Sequence, residues 1–355
     1  MKFKTIALLM IILLIMVPFT ACSGDSEKGD IPSQETPVDS QVPEAPQKPE
    51  QPDKTNINLA VLKGPTGIGA VNLIDKAEGE QALNNYTLTL AGAPDEVTAK
   101  IISGEIDIAA VPTNMASVLY NKTEGKVQIL GLNTLGVLYL VGTDNTIASL
   151  EDIQNGALNG KTIISAGQGS AAEYALDYIL SSNGLSVGTD VTVDYKTEHS
   201  EVMALLLAGE ADIAVLPEPF VTQVLNENPD VNVIGLTEAW DAVSDGSQLA
   251  MGSIVVRKEF AEENHQAVKD FLTEYKESIE MANSDIDTTA QLCERYDVIK
   301  AVVAEKAIPR CNIVYMDSND NFQDVVTGFL QVLFDYNPAS IGGSMPADDF
   351  FYVND

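Results

Sequence analysis

Histidine is nearly absent: the 355-residue chain holds only His199 and His265. A histidine-rich metal site or a Ser-His-Asp arrangement therefore has few possible members. Basic residues are scarce as well, 20 Lys and Arg against 52 Asp and Glu, for a net charge of −32. No basic stripe exists to neutralise phosphates, which argues against nucleic acid as a partner. The same deficit argues against a peripheral hold on anionic lipid. Neither a Gly-x-Ser-x-Gly elbow nor a P-loop occurs. Gly167-x-Gly169-x-x-Ala172 has the outline of a dinucleotide fingerprint, but the acidic residue expected about 20 residues on is missing, since Asp194 lies inside its strand. No catalytic residue, metal or cofactor is expected, and the chain reads as a non-enzyme. Of the three cysteines, Cys293 and Cys311 lie in the body, where a disulfide and two buried thiols are both open.

The first residues are those of an export signal: Lys2 and Lys4 supply the positive end, and 6–17 is an unbroken apolar run. That run is too short to span a bilayer comfortably. Thr20-Ala21 before Cys22 resembles the lipobox of bacterial lipoproteins, which implies that Cys22 becomes the lipidated first residue. From 23 to 56 the composition shifts to Pro32, Pro37, Pro43, Pro46, Pro49 and Pro52 among Glu, Gln, Ser and Asp. Such a segment buries too little apolar surface to offset its ordering entropy, so a disordered, semi-stiff stalk is expected.

An internal repeat organises the rest. Short β-branched runs at 58–62, 86–90, 106–111 and 127–132 are followed by a second set at 162–165, 191–195, 211–216 and 231–236, with helical patterns between them. This alternation predicts an α/β fold with largely parallel strands. Glu96-Val97 aligns with Glu201-Val202 at an offset of 105 (201 − 96). The same offset superposes Gly104-Glu105 on Gly209-Glu210, Asp107-Ile108-Ala109 on Asp212-Ile213-Ala214, and Pro112 on Pro217. Each half thus has a short helix ended by glycine, a strand covered on both faces, and a proline that stops the ladder. The residues after each proline lie at the carboxyl end of a strand, where open α/β sheets bind ligands.

Three phrases make the chain similar to bacterial solute-binding proteins of the nitrate, sulfonate, taurine and thiamine-precursor transport type. They are Ser103-Gly104-Glu105-Ile106-Asp107-Ile108-Ala109, Ser149-Leu150-Glu151-Asp152-Ile153 running into Gly160-Lys161-Thr162-Ile163, and Leu216-Pro217-Glu218-Pro219-Phe220. The resemblance implies a two-lobed, type II periplasmic-binding-protein-like α/β fold with a hinge between the lobes. It assigns 1–22 to a lipoprotein signal peptide, 23–56 to the stalk, 57–136 and 253–355 to lobe 1, and 137–252 to lobe 2 with the hinge segments. Gly136, Gly142 and Gly252 are the candidate hinges, and the helical patterns 259–283 and 319–334 are expected on the first lobe. The implied function is the extracytoplasmic, lipid-anchored component of an ABC importer, a monomer that captures a small solute and meets a membrane permease. Relatives that make thiamine pyrimidine supply an enzyme alternative, and a sensor's binding module is another.

If solute lies between the lobes, the loops after the strands line it. The candidates are Gly64, Thr66 and Gly67 after the first strand, Asp95 after the second, Thr113 and Asn114 after the third, and Asn133 after the fourth. The second lobe offers Gly169, Ser170, His199 and Glu218. The two glycine loops run from a strand into a helix, presenting N–H groups and a hydroxyl to an anionic or polar ligand, or serving only turn and cap. Glu218, held between two prolines, is a candidate acceptor, while Tyr139, Tyr174 and Trp240 could stack on a planar ligand or belong to core and rim.

Overall fold

In a computed structural model, residues 54–143 and 147–353 are described. They belong to one compact unit, Pro52–Asp355. The leader, the stalk to residue 53, and Cys22 with them lie outside the described residues.

The eight predicted strands all form. The first set gives β1 (Asn56–Leu62), β2 (Asn85–Ala91), β3 (Ile108–Pro112) and β4 (Val127–Thr134). The second gives β6 (Thr162–Ala166), β7 (Thr192–Lys196), β8 (Ile213–Pro217) and β9 (Asn232–Gly235), with β5 (Leu138–Gly142) before them and β10 (Gly252–Arg257) and β11 (Ile313–Met316) after. Two sheets result, ordered β11-β4-β10-β3-β1-β2 and β7-β6-β8-β5-β9. The repeat explains the match: β1, β2 and β3 occupy in one sheet the places of β6, β7 and β8 in the other. In each sheet the strand beside the third is antiparallel to it and comes from the chain's passage between lobes. β10 pairs with β3, setting Gly252 opposite Pro112, and β5 pairs with β8, setting Leu138 opposite Pro217.

The strands are apolar because both faces are covered. In β3 and β8 every residue before the terminal proline is buried. The preceding helices α2 (Pro94–Ser103) and α6 (His199–Leu207) are followed by Gly104 at φ 81° and Gly209 at φ 71°, a left-handed turn that frees the chain to enter the strand. Asp107, the polar residue leading into β3, accepts from Asn58 N at 2.9 Å and pairs with Arg257 Nη2 at 2.7 Å. The phrase at 149–152 is a helix entry, where Asp152 accepts from Ser149 N at 2.8 Å at the start of α4 (Leu150–Gln154).

One expectation is corrected. α10 (His265–Ser284) packs on the first lobe against α1 (Pro65–Glu78), as its pattern predicts. The later helix α13 (Phe322–Tyr336) instead lies on the second lobe against α5 (Ala171–Ser182), with Phe329 5.4 Å from the buried Trp240 ring. The reason is its stripe of Phe322, Val325, Val326, Phe329, Leu330 and Leu333, which completes the apolar face offered by Ala172, Leu176 and Ile179. The chain then returns to the first lobe as a strap on α3 (Thr113–Lys122). Asn114, Ser117 and Asn121, one face of that helix, donate to Ser340 O, Ile341 O and Ile341 O at 2.9, 2.8 and 2.9 Å.

At Gly136 and Gly252, the candidate hinges, neighbours stand too close for any side chain. A Cβ on Gly136 would lie 2.1 Å from Thr237 Oγ1, and one on Gly252 2.6 Å from Asn133 Oδ1. Gly142 is the last residue of β5. Cys293 and Cys311 are both free and buried. Among the described residues no helix is long and apolar enough to cross a membrane.

Candidate functional site

Three strands of each half of the repeat end at the boundary between the lobes and lead into helices. β1 leads through Lys63-Gly64 to α1, β2 through Gly92-Ala93 to α2, and β3 directly to α3. On the other side β6 leads through Gly167-Gln168-Gly169 to Ser170 and α5. β7 leads through Thr197-Glu198 to α6, and β8 through Glu218 and Pro219, joined by a cis peptide, to α7 (Phe220–Glu227). Helix starts from both lobes therefore surround one space, an inner cavity of about 140 Å³ lined by both halves of the repeat. The first-turn N–H groups of a helix lack intrahelical partners and carry partial positive charge.

Of the sequence-predicted residues, Thr66, Ser170, His199 and Glu218 line this inner cavity. Gly64 lines an outer chamber of about 410 Å³, which His199 also borders. Gly67, Asp95, Thr113, Asn114, Asn133 and Gly169 line neither. Asp95 is exposed in the first turn of α2. Gly67 is needed for packing, since a Cβ there would stand 2.8 Å from Leu62 O.

Several hydroxyls and amides predicted to face solute are engaged within the protein. Thr66 Oγ1 donates to Leu62 O and accepts from Leu62 N, both at 3.1 Å, closing the end of β1. Ser170 Oγ donates to Gly167 O at 2.5 Å and accepts from Ala172 N at 3.3 Å, which makes it the cap of α5. Gly167 and Gly169, at φ 80° and 78°, form the left-handed turn that the cap closes. Asn114 Nδ2 donates to Ser340 O at 2.9 Å and across the lobe boundary to Gly169 O at 3.0 Å. Asn133 Nδ2 donates to Tyr275 OH at 3.0 Å. Thr113 Oγ1, Asn114 Oδ1 and Asn133 Oδ1 remain buried without hydrogen-bond partners.

Glu218 is fully buried, and its Oε2 accepts from Thr222 N at 3.0 Å. Its Oε1 lies 2.9 Å from Nε of Arg310, which comes from the other side of the boundary. No hydrogen-bond alignment accompanies that contact, so it acts as an ion pair. Burial raises the Glu218 carboxyl above its ordinary value, and the Thr222 hydrogen bonds and Arg310 charge pull the other way. Arg310 lies over the Tyr139 ring at 5.1 Å, so Tyr139 stacks on a protein cation. Burial also pushes His199 down to about 4, leaving its imidazole neutral near pH 7. Part of the residue reaches the surface, yet Nδ1 is sealed and unpartnered, and the ring stands 5.6 Å from Phe220.

Sequence reasoning missed Arg310 and the strap on α3, while Lys63 and Phe220, at the ends of the loops 63–69 and 216–220 expected to line the solute, do lie on the cavity walls. The Asn114, Ser117, Asn121 spacing was the signal for the strap; Arg310, almost a hundred residues after Glu218, had none. Among the described residues no group of three or more His, Cys, Asp or Glu is placed to hold a metal ion.

The family described as ABC transporter, phosphonate, periplasmic substrate-binding protein matches residues 87–306, more than half of the chain. The chain belongs to this family. It is the extracytoplasmic solute-binding component of an ABC importer. Solved structures agree with the fold. An ABC transporter protein from Parabacteroides distasonis aligns with TM-score 0.68 and 25% identity, covering 85% of this chain and 100% of that one. The periplasmic aliphatic sulphonate binding protein SsuA from Escherichia coli aligns with TM-score 0.66 and 14% identity, covering 85% and 93%. The periplasmic nitrate-binding protein NrtA from Synechocystis PCC 6803 gives 0.58 and 14%, covering 80% and 82%. No match is found among curated protein sequences. As a periplasmic substrate-binding protein the chain has its helix starts where a family member needs them, at the carboxyl ends of both sheets.

Proposed function

We propose that this binding protein, anchored through a lipid on Cys22, closes its two lobes over a small organic oxyanion of the phosphonate or sulfonate kind and hands it unchanged to the permease. The observation that carries the reading is the inner cavity itself, bounded by Thr66 of one lobe and by Ser170 and Glu218 of the other. Its walls include the starts of α1 and α5, and backbone N–H groups at a helix start are suited to an oxyanion without any cationic side chain. Arg310 neutralises Glu218, so that buried carboxylate does not oppose an anion.

A solute that touches both lobes favours the closed form by its differential contacts. A thermal-shift screen of phosphonates, sulfonates and carboxylates tests the solute class, because a ligand that binds only the folded form raises its melting temperature. The reading fails if none does so. Mass spectrometry of the bound solute after long incubation should find it unaltered; a protein-dependent product would favour an enzyme. Cys22→Ala should release the protein from membranes or leave it unprocessed, and membrane retention of a cleaved variant would contradict the anchor. The protein should scatter as a monomer with and without solute.

A further inference from the structure

A separate cavity of about 820 Å³ lies on the second lobe and shares no residue with the inner cavity or the outer chamber. One wall is α13, which presents Asp324, Gly328, Gln331 and Asp335 along a single helix face, at i, i+4, i+7 and i+11. The other is the turn 244–248, from which the chain runs on to β10. Tyr178 and Tyr336 also line it, their rings edge to face at 5.9 Å, and Tyr336 is exposed.

The chemistry of this cavity is one-sided. Among the described residues no Lys, Arg or His lines it, whereas Asp245, Asp324 and Asp335 do, and none of the three is in an ion pair. Gln331 Nε2 donates to Asp335 Oδ1 at 2.8 Å, a neutral contact that leaves the charge in place. Ser247 Oγ, on the wall of the turn, is buried without a hydrogen-bond partner. Its backbone oxygen, by contrast, accepts from Trp240 Nε1 and Ser244 Oγ at 2.8 and 2.9 Å. A hydroxyl left unpaired in this way costs desolvation that a ligand's N–H recovers. Tyrosine ring faces add attraction for a cation.

The carboxylates are not gathered around a point: no group of three or more His, Cys, Asp or Glu among the described residues is placed to hold a metal ion. Asp324 and Asp335 are 11 residues apart (335 − 324), which is about 16 Å along α13. A compact cation meets one of them; an elongated molecule with several cationic centres meets both and lays its apolar links on Val332. We propose that this cavity binds a linear oligoamine, a chain of ammonium groups joined by methylenes. It lies along α13 from Asp324 to Asp335 and Tyr336 and gives an N–H to Ser247 Oγ.

Calorimetry on the full chain with spermine, putrescine and magnesium chloride tests this. Gly328 supplies the decisive variant. A Cβ there would meet only Ser247 Oγ, at 3.9 Å, so Gly328→Leu extends into the cavity without changing charge and with a better helix former. Spermine should bind the parent more tightly than putrescine does. Its affinity should fall about tenfold or more in Gly328→Leu and about threefold in Tyr336→Ala. It should stay within about twofold in Glu305→Gln, an exposed acid of α12 (Ala301–Ala307) outside the cavity. Melting temperatures establish that the variants fold. No spermine binding by the parent, affinity unchanged in Gly328→Leu and Tyr336→Ala, or displacement of spermine by an equal concentration of magnesium overturns the proposal. An equal loss in Glu305→Gln also overturns it, since that marks diffuse attraction to a chain of net charge −32.

Discussion

Asp107 and Asp212 hold the same place in the two halves of the repeat, one residue before the buried strand begins. Asp107 is buried, paired with Arg257 of β10 at 2.7 Å and bonded to β1 through Asn58. Asp212 is exposed at the same point, and its backbone carbonyl accepts from Thr143 N at 2.9 Å. The corners beyond the strands diverge in the same way. After Pro112, Asn114 is spent on backbone carbonyls of the strap and of the opposite loop; after Pro217, Glu218 meets a guanidinium from across the boundary. A repeat therefore transmits strand order and loop placement, while the partner of each side chain depends on what later chain segments bring to it.

The largest difference between the halves should come from those aspartates. Asp107→Ala leaves Arg257 without its buried partner and should cost about 3 kcal/mol in denaturant unfolding. Asp212→Ala should stay within about 0.5 kcal/mol. Comparable losses at the two sites would erase the distinction.

Next in size is the corner after Pro112. Asn114→Ala strips the partner from Gly169 O and Ser340 O, a loss of about 1–3 kcal/mol spread over stability and closure. Asn121→Ala, which touches the strap but not the opposite lobe, should lower stability while leaving solute affinity near that of the parent. Equal effects on affinity would mean that Asn114 is only a strap residue.

That contrast also shows what was legible in the sequence. Strand positions, the Gly104 and Gly209 turns and the proline stops come from local preference repeated at a fixed offset, so all were readable. The cavity-lining status of Thr66, Ser170, His199 and Glu218 was readable too, because strand-to-helix loops must gather at one edge of a parallel sheet. The true engagement of Thr66 and Ser170, capping their own turns, is a local alternative with the same residue signature. The placement of α13 was misread because an amphipathic helix declares that it has a buried face without declaring which lobe receives it. Arg310 comes from chain far from the residue it meets, and periodicity carries no information about such a pair; of the strap the sequence showed only the polar face of Asn114, Ser117 and Asn121, not what covers it.

Smaller effects concern two buried titrating groups of opposite sign. His199 falls to about 4 in the fold from 6.5, so the unfolded chain binds more protons between these values. Its contribution is present above pH 6.5 and is lost as pH drops towards 4. Asp177 of α5 is raised from 3.8 to about 6 by burial, with Glu173 adding repulsion, so it disfavours the folded state at neutral pH and ceases to do so below its ordinary range. Asp177→Asn should therefore stabilise by about 1 kcal/mol at pH 7 and make no difference near pH 3. His199→Gln should flatten the melting temperature between pH 6.5 and 4. A gain from Asp177→Asn that persists at pH 3 would show that its cause is not the charge.

The sharpest test of a site shared by both halves is hydrogen exchange on the full chain, with and without the phosphonate or sulfonate that gives the largest thermal shift. Bound solute should slow exchange together in the loop into α1, around Gly64 to Gly67, and in the loop into α5, around Gly167 to Ala171. Protection confined to one of these loops, or to neither, would contradict capture between the lobes.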